Sequence, residues 1–301
     1  MVKHLKNLKI VFFGTPHFVI PVLKTLEDNF DVVAVVTAPD NLVGRTQTLT
    51  PSPIKEAFKK TCLTPKIFDE EVSTKLKSLE PDLFIVAAYG KIIPQEILDI
   101  PKFGSINIHP SLLPKYRGAS PIQESILNGD EISGVTFIKM DSEVDHGPII
   151  FTKEFRLSKE DTFESLSKKV FILAAEDLIK IIPEFITGKI NLCVQDHAIA
   201  SYCNRITKED GYFDLPFQDL RPAGRQVTQE FLEKLDRMIR AYYPWPTAWT
   251  KWSPFAKASG DKNEKIVKFL PEGMVQIEGK KPTDLDSFLR GYPNFPIRSL
   301  K

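Results

Sequence analysis

Apolar and polar positions alternate between two textures along the first two-thirds of the chain. Mainly apolar runs at Lys9–Phe13, Asp31–Thr37, Leu83–Ala88 and Ser105–Ile108 are separated by stretches with helical spacing. Short continuous runs of this kind suit parallel strands covered on both faces, with the intervening helices as crossovers. Thr15-Pro16 has the chemistry of an N-cap and first-turn pair for a helix reaching Leu26. Two further helices are predicted over Pro53–Lys60 and Glu71–Leu79. The β-α-β alternation predicts an α/β fold, a Rossmann-like doubly wound sheet of mostly parallel strands.

After the turn signal Asn128-Gly129-Asp130, Val135–Met140 and Ile149–Leu157 predict two strands that extend the sheet in antiparallel fashion. A long helix follows, because Phe163, Leu166, Val170, Leu173, Ile181 and Phe185 recur at helical spacing. Asp161 and Glu164 have the spacing of a capping box, and Gly188 is a stop signal. Residues 1–188 therefore read as one domain. Residues 189–207 show neither period and read as a linker. From residue 208 to 301 the chain is dense in aromatics and prolines, with short strands in KIVKFL and GMVQIEG, the pattern of a small β-barrel or β-rich domain. Within it LPFQDLRPAGRQVTQEF, Leu215–Phe231, is polar and aperiodic and reads as a loop.

Composition narrows the class without choosing a function. Hydrophobic residues make up 42% and charged residues 26%, the profile of a soluble globular protein. No apolar run approaches the ~20 residues that span a bilayer, and no signal-peptide pattern precedes the first strand, so a cytoplasmic protein without a membrane partner is expected. Cys62, Cys193 and Cys203 lack metal-ligand or redox spacing and read as free thiols. With no His/Cys cluster, no metal is expected. The formal net charge is only +1; the C-terminal part is slightly basic and the remainder slightly acidic. That asymmetry permits an anionic partner for the C-terminal part.

The strand end FFGTPHF offers one glycine where a dinucleotide fingerprint needs three, so a tight turn is the better reading, with His17 a surface residue. The chemistry concentrates in SINIHPSLLPKYRGASPIQESILNGD, Ser105–Asp130. Strand side chains alternate faces, so Asn107 and His109 project together near the carboxyl end of the sheet, where open α/β folds bind ligands. An amide can donate to a developing oxyanion while an imidazole handles a proton. The Pro- and Gly-containing loop that follows is shaped to wrap a ligand. Downstream, MDSEVDHG places Asp141 and Asp145 in one turn. Either carboxylate could fix the tautomer of His109, and either could simply cap its own turn. His146 competes as a histidine but has no amide partner at strand spacing.

These segments, with GVTFIKMDSEVDHGPI, resemble the formyltetrahydrofolate-dependent formyltransferases, whose signature is an Asn-x-His, an SLLP loop and a distal Asp. TAPD–GR–PSPIK at 37–55, PDLFIVAAYGKIIP at 81–94, IRAYYPWP at 239–246 and IEGKKPTDLDSFL at 277–289 extend the likeness through essentially the whole chain. The last two segments resemble the members of the family that act on initiator methionyl-tRNA. The resemblance implies Asn107, His109 and Asp145 as the catalytic trio, and 10-formyltetrahydrofolate as formyl donor. Ser111, Leu112, Leu113 and Pro114 would form the folate loop, with Asp141 in the turn lining the pterin pocket. It implies an OB-like C-terminal domain that grips tRNA, with Arg45, Lys280 and Lys281 as phosphate contacts, and a monomer. The basic residues that usually follow the Gly-Arg of the Arg45 loop are missing from GRTQTL. The trio alone does not choose the acceptor. Enzymes acting on an amino sugar nucleotide or glycinamide ribonucleotide share it, and a formyltetrahydrofolate hydrolase, with water as acceptor, is a further reading.

Overall fold

The four apolar runs become β1 (Lys9–Gly14), β2 (Asp31–Val36), β4 (Leu83–Ala87) and β5 (Ser105–His109); β3 (Thr61–Leu63) adds a short edge strand. β6 (Ile132–Lys139) and β7 (Ile149–Arg156) complete a seven-stranded sheet of order β7-β6-β5-β4-β1-β2-β3. Strands β1 to β5 run parallel, and β6 and β7 are antiparallel to their neighbours. The computed structural model describes residues 6–43, 47–215, 227–253 and 264–300. β1 and β4 are buried at nearly every position, while the edge strand β7 is largely exposed or half-buried. This is the burial expected of a sheet covered on both faces at its centre. Because β3 is followed by a strand on the far side of β1, the strand order reverses beside β1. Such a reversal opens a crevice at the carboxyl ends.

Local chemistry explains most boundaries. Ser52 and Asp69 cap the helices Pro53–Ala57 and Glu70–Ser78 through their side chains. The first of these ends three residues short of Lys60. Two expected caps differ. Thr15 does not cap the helix that follows β1; its hydroxyl donates to the Tyr89 carbonyl (3.2 Å), and a one-turn 3-10 segment, His17–Val19, leads into Ile20–Asn29. The long helix Phe163–Ile186 is capped by a reciprocal Thr162–Ser165 pair rather than by Asp161 and Glu164. Gly188 does end the last turn, at φ 68° with its amide on the Phe185 carbonyl (3.0 Å).

The chain divides into two compact units, the first made of residues 1–121, 132–156 and 166–204, the second of 122–131, 157–165 and 205–301. The stretch expected as a linker is tied into the first unit as far as Asn204. Cys193 and Ile149 exchange backbone hydrogen bonds at 2.7 and 2.9 Å, and Tyr202–Cys203 pairs in parallel with Arg117–Gly118. Its order comes from isolated bridges and side-chain bonds, which leave no period in a sequence. Cys62, Cys193 and Cys203 form no disulfide.

In the second unit β8 (Ala248–Trp252), β9 (Lys265–Leu270), β10 (Met274–Ile277) and β11 (Thr283–Asp284) form an antiparallel sheet in that order, consistent with an OB-like domain. Phe269 and Phe295 are fully buried, and Trp252 and Phe288 pack on Phe295. Residues 216–226 of the expected loop, and Arg45, lie outside the described residues. The end of that expected loop is helical. Thr228 accepts the Phe231 amide and opens the helix Gln229–Tyr242.

Candidate active site

His109 is the last residue of β5, and Asn107 lies two positions before it on the same face. Across the strand pair, Thr136 of β6 stands in register with His109. The Thr136 hydroxyl is fully buried; it donates to the Ser111 carbonyl (2.7 Å) and accepts the Leu113 amide (3.1 Å). One side chain of the sheet thus fixes the loop Ser111–Pro114. The Ser111 hydroxyl closes that loop by donating to the Lys115 carbonyl at 2.6 Å. Ser111 and Leu113 are buried, and Leu112 and Pro114 half-buried.

Asp145 enters from the turn between β6 and β7 with a left-handed φ of 51°. Its Oδ1 accepts the Asn107 amide at 2.9 Å. Its Oδ2 accepts the Gly118 backbone N–H at 2.8 Å and lies 3.4 Å from His109 Nδ1. His109 is 3% exposed, and its Nε2 is 2.9 Å from the Tyr116 carbonyl. A carbonyl only accepts, so Nε2 carries a proton. A bare Nδ1 would then face a carboxylate, lone pair to anion, which favours a proton there too. Burial by itself would lower the pKa of His109. The charge and hydrogen bond of Asp145, with the Tyr116 carbonyl, raise it above the ordinary histidine value, against a smaller opposing pull from Arg117. Burial would likewise raise the Asp145 carboxyl, but His109, Gly118 and Asn107 hold it below the usual carboxylate range. Both shifts favour the ionised pair, an imidazolium beside a carboxylate.

Backbone approach makes this possible. Gly118 sits at φ +114°, and a Cβ built there would lie 2.2 Å from the Cys203 carbonyl oxygen, so only glycine brings this amide to Asp145. At Gly147 a Cβ would fall 1.9 Å from the Lys139 carbonyl, because the Asp145 turn presses back on the end of β6.

Asn107, His109 and Asp145 are brought together, and the Ser111–Pro114 loop leaves directly from them. Asp141 shares the turn of Asp145, but its carboxylate binds His146 Nδ1 (2.8 Å) and the Glu143 amide (3.0 Å). Lys280 and Lys281 are exposed in the second unit, with the Lys280 ammonium 5.3 Å from the Tyr292 ring centre. Among the described residues no group of three or more His, Cys, Asp or Glu converges as a metal site does. Two buried residues that sequence reasoning missed adjoin the trio, Arg117 and Gln195. Arg117 stood inside the recognised KYRGASP segment, but arginine is rarely buried and nothing marked it. Gln195 lay in the aperiodic stretch and left no signal.

The profile of the family described as formyl transferase matches residues 8–182. The methionyl-tRNA formyltransferase of Halalkalibacterium halodurans is 40% identical over 278 residues, covering 90% of this chain and 84% of that one. That of Listeria monocytogenes serovar 1/2a is 38% identical over 311 residues, covering 94% and 95%. Among solved structures, a methionyl-tRNA formyltransferase from Clostridium thermocellum superposes with a TM-score of 0.57 at 20% identity, over 92% of this chain and 99% of that one. A sugar N-formyltransferase from a Shewanella species gives 0.60 at 17%, over 91% and 99%, so the fold itself is shared across acceptors.

Proposed function

Because the chain belongs to the formyl transferase family, and within it to the methionyl-tRNA formyltransferases, we propose that it moves the formyl group of 10-formyltetrahydrofolate to the α-amine of initiator methionyl-tRNA. The observation that carries the chemistry is the convergence of Asn107, His109 and Asp145 at the carboxyl end of β5.

Attack of a neutral amine on the formyl carbon puts negative charge on the formyl oxygen and positive charge on the nitrogen. Asn107 commits one amide N–H to Asp145 and has a second to donate to that oxyanion. The imidazolium of His109 adds positive charge beside it. Asp145 takes the proton that the attacking nitrogen must lose, and His109 returns one to the departing folate nitrogen. The Asp145–His109 contact, at 3.4 Å, is longer than the 2.9 Å contact of Nε2 with the Tyr116 carbonyl, and a proton passed across it from Asp145 to His109 restores the pair after turnover. Collapse of the intermediate releases formylmethionyl-tRNA and tetrahydrofolate, one proton lost by the acceptor and one gained by the donor. No metal enters this scheme.

The Ser111, Leu112, Leu113 and Pro114 loop holds the folate mainly through its backbone, since Leu113 is itself buried in the protein. The turn of Asp141 lines the pterin end. Arg45, Lys280 and Lys281 meet tRNA phosphates, a salt-sensitive contribution. No described helix is long and apolar enough to cross a membrane. The test is a parallel formyl-transfer assay with methionyl-tRNA, glycinamide ribonucleotide and an amino sugar nucleotide. Formylmethionyl-tRNA is the expected product. Its absence from protein active on another acceptor overturns the reading, as does formate release that needs no amine.

A further inference from the structure

The guanidinium of Arg117 is buried, the residue being 1% exposed, and among the described residues no carboxylate pairs with it. A buried cation needs several acceptors to offset lost hydration. Its Nε and Nη2 donate to Gln195 Oε1 at 3.1 and 2.7 Å, Nη2 also to His197 Nδ1 at 2.8 Å, and Nη1 to the Tyr202 hydroxyl at 3.3 Å.

Gln195, 4% exposed, turns its other end toward the catalytic turn. Its Nε2 donates to the Asp145 carbonyl at 2.9 Å and to the Gly147 carbonyl at 2.7 Å. Both amide hydrogens and both lone pairs of one side chain are thereby used. Arginine only donates, so it also locks the amide orientation, with oxygen toward Arg117 and nitrogen toward the turn. The segment so gripped is the one in which Asp145 adopts φ 51°, a conformation that costs energy in a non-glycine residue.

We propose that Gln195, oriented by Arg117, is a positioning residue for the reaction, gripping the backbone of the Asp145–Gly147 turn so that the Asp145 carboxylate meets Asn107 and His109. This rests on the assignment of the trio above. The groups facing His109 are Asp145 from the turn, the Tyr116 carbonyl and the Arg117 charge from the following loop, and uncharged Thr136 from β6. Asn107, on the strand of His109 itself, reaches it through Asp145. Release of the turn withdraws Asp145 and leaves the imidazolium with the opposing influences of burial and Arg117.

Gln195→Glu separates positioning from mere neutralisation of Arg117. A glutamate keeps Arg117 paired but cannot donate to the two carbonyls. Turnover of Gln195→Glu and Gln195→Ala is measured with methionyl-tRNA and the formyl donor, alongside the thermal midpoint and the NMR titration of the His109 ring. The expected result for both variants is a kcat lower by about tenfold to a hundredfold, with KM for each substrate within about twofold. The basic limb of the kcat profile and the His109 titration both move to lower pH. Wild-type kcat and an unshifted His109 titration in folded Gln195→Glu overturn the positioning role, whatever becomes of Gln195→Ala. His109→Ala runs beside them: full turnover there refutes the trio itself, whereas an inactive His109→Ala with a wild-type-like Gln195→Glu refutes only Gln195.

Discussion

Asp145 meets His109 Nδ1 at 3.4 Å through the same carboxylate oxygen that accepts the Gly118 amide at 2.8 Å. A single oxygen thus links the imidazolium to a backbone segment that only glycine can supply. The state of the pair sets how the site responds to pH. The folded pKa of His109 lies above its unfolded value of about 6.5, so its contribution to stability is complete below that pH. It fades as pH rises through the raised folded value. Asp145 works in the opposite sense: its contribution is present above its unfolded pKa of about 3.9 and fades as pH falls through the lowered folded one. The basic limb of the kcat profile is therefore expected above pH 6.5. In Asp145→Asn it moves to lower pH, and kcat falls by about 10²-fold or more. Steady-state kinetics across pH, with His109 followed by NMR, check both shifts.

Thr136→Val keeps the shape of the side chain but removes the hydroxyl that joins Ser111 to Leu113. A carbonyl and an amide lose this buried partner, at about 1–3 kcal/mol each if nothing replaces it. The thermal midpoint falls, and KM for the formyl donor rises more than kcat drops, because the loop loosens while the trio stays. A fall in kcat at constant KM speaks against the loop as the donor's seat.

Gly118→Ala forces a Cβ against the Cys203 carbonyl and strains φ at +114°. The expected loss is about 2 kcal/mol or more, read as a lower thermal midpoint, with activity reduced beyond what the unfolded fraction explains. The reason is that the Gly118 amide is one of the groups keeping Asp145 ionised.

Lys280→Glu combined with Lys281→Glu changes exposed residues of the second unit. KM for methionyl-tRNA is expected to rise several-fold and its salt dependence to flatten, while folate binding stays the same. Filter binding at several salt concentrations gives the slope, and an unchanged slope removes these lysines from the tRNA interface.

Much of the fold was legible because its signals are local. Continuous apolar runs announced β1, β2, β4 and β5, and their burial on both faces followed from the same runs. The helix caps were less legible. Thr15, Thr162 and Ser165 compete with neighbours for hydrogen bonds, and their partners depend on which backbone groups tertiary packing brings near. The helix Gln229–Tyr242 went unread, although Leu235, Met238, Ile239 and Tyr242 recur at helical spacing and are buried, because it sits among short strands and turns.

The sequence by itself determined that Asn107 and His109 share a face at a strand's carboxyl end, since strand alternation depends only on spacing. It left Asp141 and Asp145 as equal candidates on residue chemistry, with the family likeness favouring the second. Tertiary structure alone decided that Asp141 turns to His146 and Asp145 to the imidazole. It alone placed Gln195 between Arg117 and the catalytic turn, across sequence separations of 78 and 50 residues. Contacts over such distances are chosen by how buried donors and acceptors are satisfied when the whole unit packs, and no local pattern encodes that choice.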